Sequence, residues 1–308
     1  MRQTAFYDLH CDTITEHGSL DGAEAAFSLS ALPGEAFYAQ CCAIFIPDSL
    51  RCGAAVSYYE RHRDIFYAEC EKHAARAAFC RTAEEISAAH CKGKTALLLT
   101  VESGAALSGD LSRTKALARD GVSILTLVWN GQNELGAGHE APKQGLTPFG
   151  KRAVRALEDA GILLDVSHLN DRGFDELCTL ARRPFLATHS NARAVTPHSR
   201  NLTDRQICEI VRRGGLIGLN FYNEFLRTSP ENVTPDDVYR HVSHFLSLGA
   251  QNALAFGSDF DGADVPEFLS SPGALPALCE YLLSKNISEA AVRALAWENA
   301  ARFFEKWL

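Results

Sequence analysis

The 308-residue sequence has no stretch that approaches the roughly 18 uninterrupted apolar residues needed to span a bilayer. It also has no apolar segment of the signal-peptide kind near Met1, because the first residues run directly into an apparent strand. Basic residues are in deficit: 30 Lys and Arg stand against 38 Asp and Glu, and the net charge of −8 argues against a nucleic-acid partner. We therefore expect a soluble, cytoplasmic protein that binds neither a membrane nor nucleic acid.

The ten cysteines lack any C-x-x-C spacing, and only Cys41 and Cys42 are adjacent. In a chain without an export signal they are expected to be reduced thiols, mostly small buried apolar residues. The composition, 46% hydrophobic and 22% charged, is close to the globular average. It excludes disorder, collagen-like repeats and coiled coil.

Short apolar runs recur along the whole chain, and most are continuously apolar rather than alternating. Such runs are typical of parallel strands that are covered on both faces. Eight are predicted as strands, at residues 6–12, 38–47, 95–102, 122–129, 162–168, 184–190, 215–222 and 253–259. Strands that alternate with helices predict an α/β fold, specifically a (β/α)₈ TIM barrel occupying residues 1–308 as a single domain. A doubly wound open sheet is the alternative.

The segments between these runs have the 3.6-residue periodicity of helices. The long segment 54–90 accommodates one long helix or two, and Ser288 is a plausible N-cap for the last helix. The remaining predicted helices cover residues 110–120, 148–160, 171–181, 203–213, 235–248 and 288–307.

Metal-competent side chains stand at the ends of five predicted strands. In a (β/α)₈ barrel, functional groups are expected at these carboxyl ends, so these side chains would meet at one face. They are His10 and Asp12, Glu102, His168, His189 and Asp259. Taken singly, each has an ordinary explanation: the His-x-Asp pair as a chance triplet, Glu102 as a solvated strand end, and His168 and His189 as hydrogen-bonded structural residues. Their coincidence at one end of the barrel predicts a metal site.

The number of these side chains indicates two metal ions rather than one. His10 and Asp12 lie two residues apart, so both side chains point the same way on a strand and suit Zn²⁺. Glu102 could bridge two divalent ions, with a hydroxide between them as nucleophile. Asp259 could then accept the proton of that nucleophile and return it, as a catalytic base.

These residues lie in a series of motifs that resembles the membrane (renal) dipeptidase family, the M19 peptidases of the amidohydrolase type. The resemblance covers nearly the whole chain, and the order of the motifs makes it specific although each motif alone is weak. The motifs are DLHCD at 8–12, VESG at 101–104, LDVSH at 164–168, THSN at 188–191, SRNL at 199–202, NFY at 220–222, GSDFDG at 257–262 and ENA at 298–300.

The resemblance implies a zinc-dependent dipeptidase with two Zn²⁺ per chain. One ion would be held by His10 and Asp12 and the other by His168 and His189, with Glu102 bridging the two. It also implies that Arg200 binds the C-terminal carboxylate of a free dipeptide, a role that suits its planar fork of donors. His198, close to Arg200, is interpreted as structural. The dipeptide, including those with a C-terminal D-residue, is the expected partner, and a homodimer is left open.

One residue departs from the family pattern. Characterised animal relatives carry a substrate-binding histidine in the loop after the fourth strand, and Trp129 occupies that position here. Trp129 is predicted to contact the substrate, either through its indole N–H or as a wall, with core packing as the alternative; Asn130 and Asn133 could add hydrogen bonds.

Other functions fit the sequence less well. Phosphotriesterase-like and dihydroorotase-like enzymes usually carry a modified lysine at the end of the fourth strand, where this sequence has none. They and the related deaminases often begin with H-x-H instead of the His10-x-Asp12 pair. A lactone, phosphoester or N-acyl amino acid hydrolase, and a non-catalytic barrel that acts as a scaffold, remain the alternatives.

Overall fold

The structure is a computed structural model that describes residues 5–34 and 36–308. Its strands pair in parallel throughout, and the pairing of β2 with β4 closes the sheet into a barrel. The strands are β1 Ala5–Cys11, β2 Phe37–Phe45, β3 Ala77–Phe79, β4 Thr95–Glu102, β5 Val122–Thr126, β6 Leu163–Asp165, β7 Leu186–Ala187, β8 Leu216–Leu219 and β9 Leu254–Phe256. The eight strands other than β3 form the closed barrel, which confirms the predicted (β/α)₈ fold and excludes the open doubly wound sheet.

The short strand β3 was not predicted. Segment 54–90 was expected to be helical, and it contains two helices, but Ala77–Phe79 between them is extended. This strand pairs with the first residues of β4, from Ala77 opposite Thr95 to Phe79 opposite Leu97. On that edge β5 begins to pair only at Leu99. The unpaired start of β4 therefore provides the hydrogen-bonding partners that make β3 a strand.

Helices occupy the connections between the strands, and each predicted helical segment contains at least one. They are α1 Thr13–His17, α2 Cys52–Lys72, α3 Ala83–Cys91, α4 Ser112–Arg119, α5 Pro148–Asp159, α6 Asp171–Leu180, α7 Asp204–Arg213, α8 Asn223–Leu226, α9 Pro235–Ser247, α10 Leu275–Ser284, α11 Glu289–Arg293 and α12 Asn299–Trp307. Ser288 accepts a hydrogen bond from the Ala291 amide, as its prediction as an N-cap requires. A π-helical turn, Ala294–Glu298, joins α11 to α12. In the described ranges, none of the helices combines the length and the apolar character needed to cross a bilayer.

The amino-terminal end of the barrel is closed by the last helix. Tyr7 of β1 stacks on Phe304 of α12 with ring centroids 5.0 Å apart, and Phe303 is buried in the same cluster. Aliphatic side chains such as Leu98 and Leu163 fill the barrel above these rings. Because this end is packed, the carboxyl end of the barrel is the end that is available for a site.

Candidate metal centre and pocket

A register shift in β1 determines which way its side chains point. Tyr7 pairs with Ala39, but Cys11 pairs with Cys42, so β1 has one residue more than β2 over this interval. Such a bulge reverses the alternation of side chains beyond it. The Ala39 face of β2 is the face of Glu102 on β4. Without the bulge Cys11 would share that face; with it, His10 and its neighbour Asp12 do.

Two site residues lie three residues beyond strand ends and have the left-handed backbone conformation. His168 has φ 68° and Asp259 has φ 65°. Non-glycine residues adopt this conformation rarely, and such strain is characteristic of functional sites. The sharp turn lets each side chain project over the mouth of the barrel while the chain departs into the following loop. The strands predicted at 162–168 and 253–259 end three residues earlier than expected, at Asp165 and Phe256, and both side chains lie at the carboxyl end of the barrel.

Glu102 lies at the centre of the predicted ligands. Its Oε1 is 2.7 Å from His168 Nε2 and 3.5 Å from His189 Nε2, and its Oε2 is 3.5 Å from His10 Nε2. His10 Nε2 is also 3.5 Å from Asp12 Oδ2 and 3.7 Å from Asp259 Oδ1. The structure thus gathers all six side chains that the sequence singled out, with one carboxylate facing three imidazoles.

The donor atoms of this cluster fit divalent cations. His168 Nε2 and His189 Nε2 are 3.0 Å apart, although both face Glu102. Within the described chain, His10 Nε2 and Asp12 Oδ1 are buried and lack a hydrogen-bond partner. Buried polar atoms are ordinarily paired, so an unpaired imidazole nitrogen and an unpaired carboxylate oxygen on neighbouring side chains fit the ligand set of a divalent cation. Two overlapping groups of ligand atoms can be drawn, His10 with Glu102 and His189, and His10 with Asp12 and Asp259.

His189 is held in the protonation form that can bind a metal. The Thr188 hydroxyl donates to Asp165 Oδ2 at 2.7 Å, because a carboxylate only accepts. The hydroxyl oxygen, 2.8 Å from His189 Nδ1, is then free to accept from an Nδ1–H. A proton on Nδ1 leaves the lone pair on Nε2, which is the nitrogen that faces Glu102. Outer-sphere partners of this kind commonly orient metal-binding histidines.

The electrostatics of the cluster agree with a need for positive charge. Burial and the neighbouring Glu102 raise the pKa of Asp12 to about 7. Burial and the charge of Arg200 lower the pKa of His168 to about 3, so its imidazole is neutral and able to act as a ligand at neutral pH. Burial opposes ionisation of Glu102 as well, but its imidazole neighbours lower its pKa well below the usual value.

A glycine is required next to this cluster. A β-carbon at Gly262 would lie 2.1 Å from Asp12 Oδ2 and 2.8 Å from Asp259 Oδ1, both far closer than atoms approach. The Asp261-Gly262 turn therefore has to pass over the cluster without a side chain at this position.

Gly262→Ala is accordingly expected to push the Asp12 carboxylate aside. We expect binding of divalent metal to weaken by about tenfold or more, the scale of changes around metal ligands, while the protein stays folded. Metal content after dialysis against a weak chelator measures this effect. Gly53→Ala is the matched control, since nothing lies within 4 Å of a β-carbon there; equal metal retention in the two variants would contradict the steric argument.

Arg200 lies beside the cluster and is buried rather than at the surface. Its guanidinium donates to the carbonyl of His189 at 3.1 Å and to the Ser190 hydroxyl at 3.3 Å, and it lies 5.2 Å from the centre of the Phe225 ring. Its Nε has no hydrogen-bond partner among the described residues. Burial lowers its pKa to about 10, so it stays charged at neutral pH. A buried cation with a free donor is suited to an anionic group of a ligand.

A cavity of about 540 Å³ opens above the cluster and Arg200. Trp129 lines it and packs edge-on against Phe45, with ring centroids 4.8 Å apart. Trp129 therefore lines the pocket and also packs against a neighbouring aromatic side chain. His198 also lines the cavity, where its Nδ1 accepts the backbone amide of Arg200 at 3.1 Å, a structural contact as the sequence analysis expected.

The loop that follows β5 folds back as a hairpin and brings an unpredicted histidine to the pocket. The amide of Glu140 donates to the carbonyl of Asn130, and the turn is closed by Asn133 Oδ1, which accepts the Leu135 amide at 2.8 Å. This places His139 against Asn130 on the pocket wall. Sequence reasoning missed His139, although the Asn-Glu-Leu-Gly segment at 133–136 is a turn signal that could have indicated the hairpin.

Comparison with known proteins finds relatives along the whole chain. The family model described as membrane dipeptidase (peptidase family M19) matches residues 1–307. A solved structure of the dipeptidase AC, a metallopeptidase of family M19, is 29% identical with a TM-score of 0.93, and 99% of both chains is covered. A metallopeptidase from Rhodobacter sphaeroides, liganded with a phosphinate mimic of the dipeptide L-Ala-D-Ala, is 27% identical with a TM-score of 0.93 over 99% of this chain and 100% of that one.

A curated relative gives the same picture at the level of sequence. An uncharacterized protein in the pqqA 5′ region of Klebsiella pneumoniae is 30% identical over 239 residues, which cover 74% of this chain and 88% of the relative. The chain therefore belongs to the membrane dipeptidase family, peptidase family M19, and is an enzyme of its metallo-dipeptidase class.

Proposed function

We propose that this enzyme hydrolyses the peptide bond of free dipeptides with two Zn²⁺ ions per chain. The observation that carries the proposal is the convergence of Glu102 and three imidazoles directly below a pocket whose buried wall contains Arg200. Imidazole and carboxylate donors suit zinc, and the number of donors exceeds what one open tetrahedral site needs.

The residues that would hold the ions surround Glu102. His10 lies near both Asp12 and the Oε2 atom of Glu102, and His168 and His189 lie near the Oε1 atom. His10 and Asp12 would hold one ion and His168 and His189 the other, with Glu102 as a ligand of both. Two bound zinc ions would lower the pKa of water enough for it to act as a nucleophile at neutral pH.

Arg200 would bind the C-terminal carboxylate of the dipeptide. Its guanidinium already donates to the carbonyl of His189, which holds the positive charge next to a metal ligand. A substrate whose carboxylate accepts from this guanidinium would have its peptide bond close to the zinc ligands, because a dipeptide has only one residue between the two. The contact therefore selects the peptide bond next to a free C-terminal carboxylate.

Asp259 would move the proton. Its Oδ2 accepts a hydrogen bond from Asn220 Nδ2 at 2.9 Å, which leaves Oδ1 directed toward His10. A carboxylate held in this way can take a proton from the nucleophile and pass it to the departing amine, which is a poor leaving group as an anion. Asp259 lines the pocket, so the same side chain contacts the substrate.

Acceptance of a C-terminal D-residue is part of the proposal. The supporting observation is the relative from Rhodobacter sphaeroides, which is liganded with a mimic of L-Ala-D-Ala. In this chain the flat indole of Trp129 forms one wall of the pocket. We expect it to contact a substrate side chain without fixing the configuration of the α-carbon.

The proposal is tested with a library of dipeptides assayed on the zinc-loaded protein. The library includes L-Xaa-D-Xaa members, and lactones, phosphoesters and N-acyl amino acids are assayed beside it. Hydrolysis of dipeptides above the other classes is the expected result. Turnover of a lactone or phosphoester with no turnover of any dipeptide would contradict it.

Arg200→Ala should remove the preference for a free carboxylate. We expect kcat/KM for dipeptides to fall by about 10- to 100-fold, the scale of a charge-assisted contact, and C-terminally amidated dipeptides to be poor substrates of both proteins. The ratio of kcat/KM for the acid to that for the amide is the informative quantity. Arg200→Lys keeps the charge and should recover part of the ratio; equal turnover of acid and amide by the wild-type protein would rule out the pairing.

A further inference from the structure

Asn130 joins two histidines through one oxygen atom. Its Oδ1 is 2.7 Å from Nδ1 of His168 and 3.0 Å from Nε2 of His139. An amide oxygen can only accept hydrogen bonds, so both ring nitrogens must donate. The proton of His168 therefore belongs on Nδ1.

A proton on Nδ1 leaves the lone pair of His168 on Nε2. That nitrogen is the one 2.7 Å from Glu102 Oε1 and 3.0 Å from Nε2 of His189. Asn130 thus accepts the Nδ1–H of His168 through an amide oxygen, as Thr188 accepts the Nδ1–H of His189 through a hydroxyl oxygen. In both histidines Nε2 is left with its lone pair.

His139 determines which end of the Asn130 amide faces the metal ligand. Its Nδ1 lies 2.8 Å from Oγ of Ser199, whose hydroxyl can donate to it, and this matches a proton on Nε2 that Asn130 Oδ1 accepts. In that arrangement, an Asn130 amide rotated by half a turn would bring its NH₂ group against the Nε2–H of His139. The contacts of Ser199 and His139 thus favour the Asn130 oxygen, rather than the nitrogen, on His168.

We propose that Asn130 and His139 are positioning residues that hold His168 in its metal-binding tautomer, so that the hairpin after β5 is part of the metal site. The inference rests on the proposed role of His168 as a zinc ligand. Asn130 then acts on the proposed zinc ligand His168 rather than on the substrate. His139, which was not among the residues selected from the sequence, acquires a role at the metal site.

The test measures zinc dissociation constants by competition with a chromophoric chelator. Asn130→Leu removes the acceptor at similar volume, and one of the two zinc ions is expected to bind about 10- to 100-fold more weakly, the usual effect of losing an outer-sphere partner. Asn130→Asp keeps an oxygen acceptor and has no amide nitrogen, so its zinc affinity should equal or exceed that of the wild type. His139→Leu should weaken the same ion. Gln132→Leu, an exposed amide in the same hairpin, is the control and should change nothing.

Three results would overturn the inference. Wild-type affinity for both ions in Asn130→Leu would show that the hydrogen bond is not needed, and equal weakening in Asn130→Asp would show that the oxygen is not the important group. If Asn130→Leu fails to fold, as judged by thermal melting of the metal-free protein, His139→Leu carries the test, and unchanged affinity there overturns the pair. Because binding is measured without substrate, a wild-type protein that binds zinc but cleaves no dipeptide would refute the proposed function and leave this inference intact.

Discussion

Replacing Asp259 by asparagine is expected to lower kcat for dipeptide hydrolysis by about 10²–10⁴-fold, the contribution of general acid–base catalysis. Asparagine keeps the size of the side chain and an oxygen for the bond from Asn220, but it cannot accept a proton from the nucleophile. Zinc content should stay at the wild-type level, because the ligands proposed around Glu102 are untouched. The measurement is kcat under saturating dipeptide together with the metal content of the same sample.

Asp261→Asn is the control that separates chemistry from the order of the turn. The Asp261 carboxylate accepts from the backbone amides of Ala26, at 2.6 Å, and Phe27, at 3.2 Å, so it fastens the turn to the segment after α1. This variant should have a lower melting temperature than the wild type, while its kcat should change far less than that of Asp259→Asn. A near-normal kcat in folded, zinc-loaded Asp259→Asn would mean that Asp259 only shapes the end of its strand.

Glu102→Ala is expected to cause the largest loss of metal. The carboxylate faces His10, His168 and His189, and no other carboxylate of the described residues lies within ion-pair distance of all three. Removing one partner of a buried charged cluster costs about 3–5 kcal/mol, which corresponds to an affinity about 10²–10³-fold or more weaker. Activity should fall to near background at zinc concentrations that saturate the wild type.

Two further variants test whether the effect depends on the charge of Glu102: Glu102→Gln, and the replacement of an exposed carboxylate as a control. Glutamine keeps the volume and one oxygen but loses the charge, so its zinc affinity should lie between those of Glu102→Ala and the wild type. Glu71→Ala changes an exposed carboxylate on α2 and should retain full metal content. Two zinc ions per chain in Glu102→Ala would eliminate the bridging role.

The eight barrel strands were predictable because burial on both faces makes most of them nearly continuous apolar runs, as in Thr95–Glu102. Strand β3 was not, because Ala77–Phe79 has no strand signature of its own and is extended only where β4 offers an unpaired edge. The location of the metal-competent residues followed from the same pattern, since a polar side chain that ends an apolar strand of a barrel has to lie at its mouth.

The orientation of those residues depended on contacts that the sequence does not display. His10 and Asp12 were expected to share a face, but whether that face was inside depended on the register shift between β1 and β2. His139 lies nine residues beyond Asn130, and only the hairpin brings the two together. Local patterns therefore predicted which groups form the site, and long-range pairing determined how they are held.

Titration of the metal-free protein with Zn²⁺, while hydrolysis of a single dipeptide is followed, tests whether two zinc ions are needed for activity. Chelation is expected to abolish hydrolysis, and activity should return on adding zinc and stop rising at two ions per chain. Dipeptide hydrolysis that survives complete removal of metal would refute a two-zinc enzyme, as would full activity with a single zinc ion.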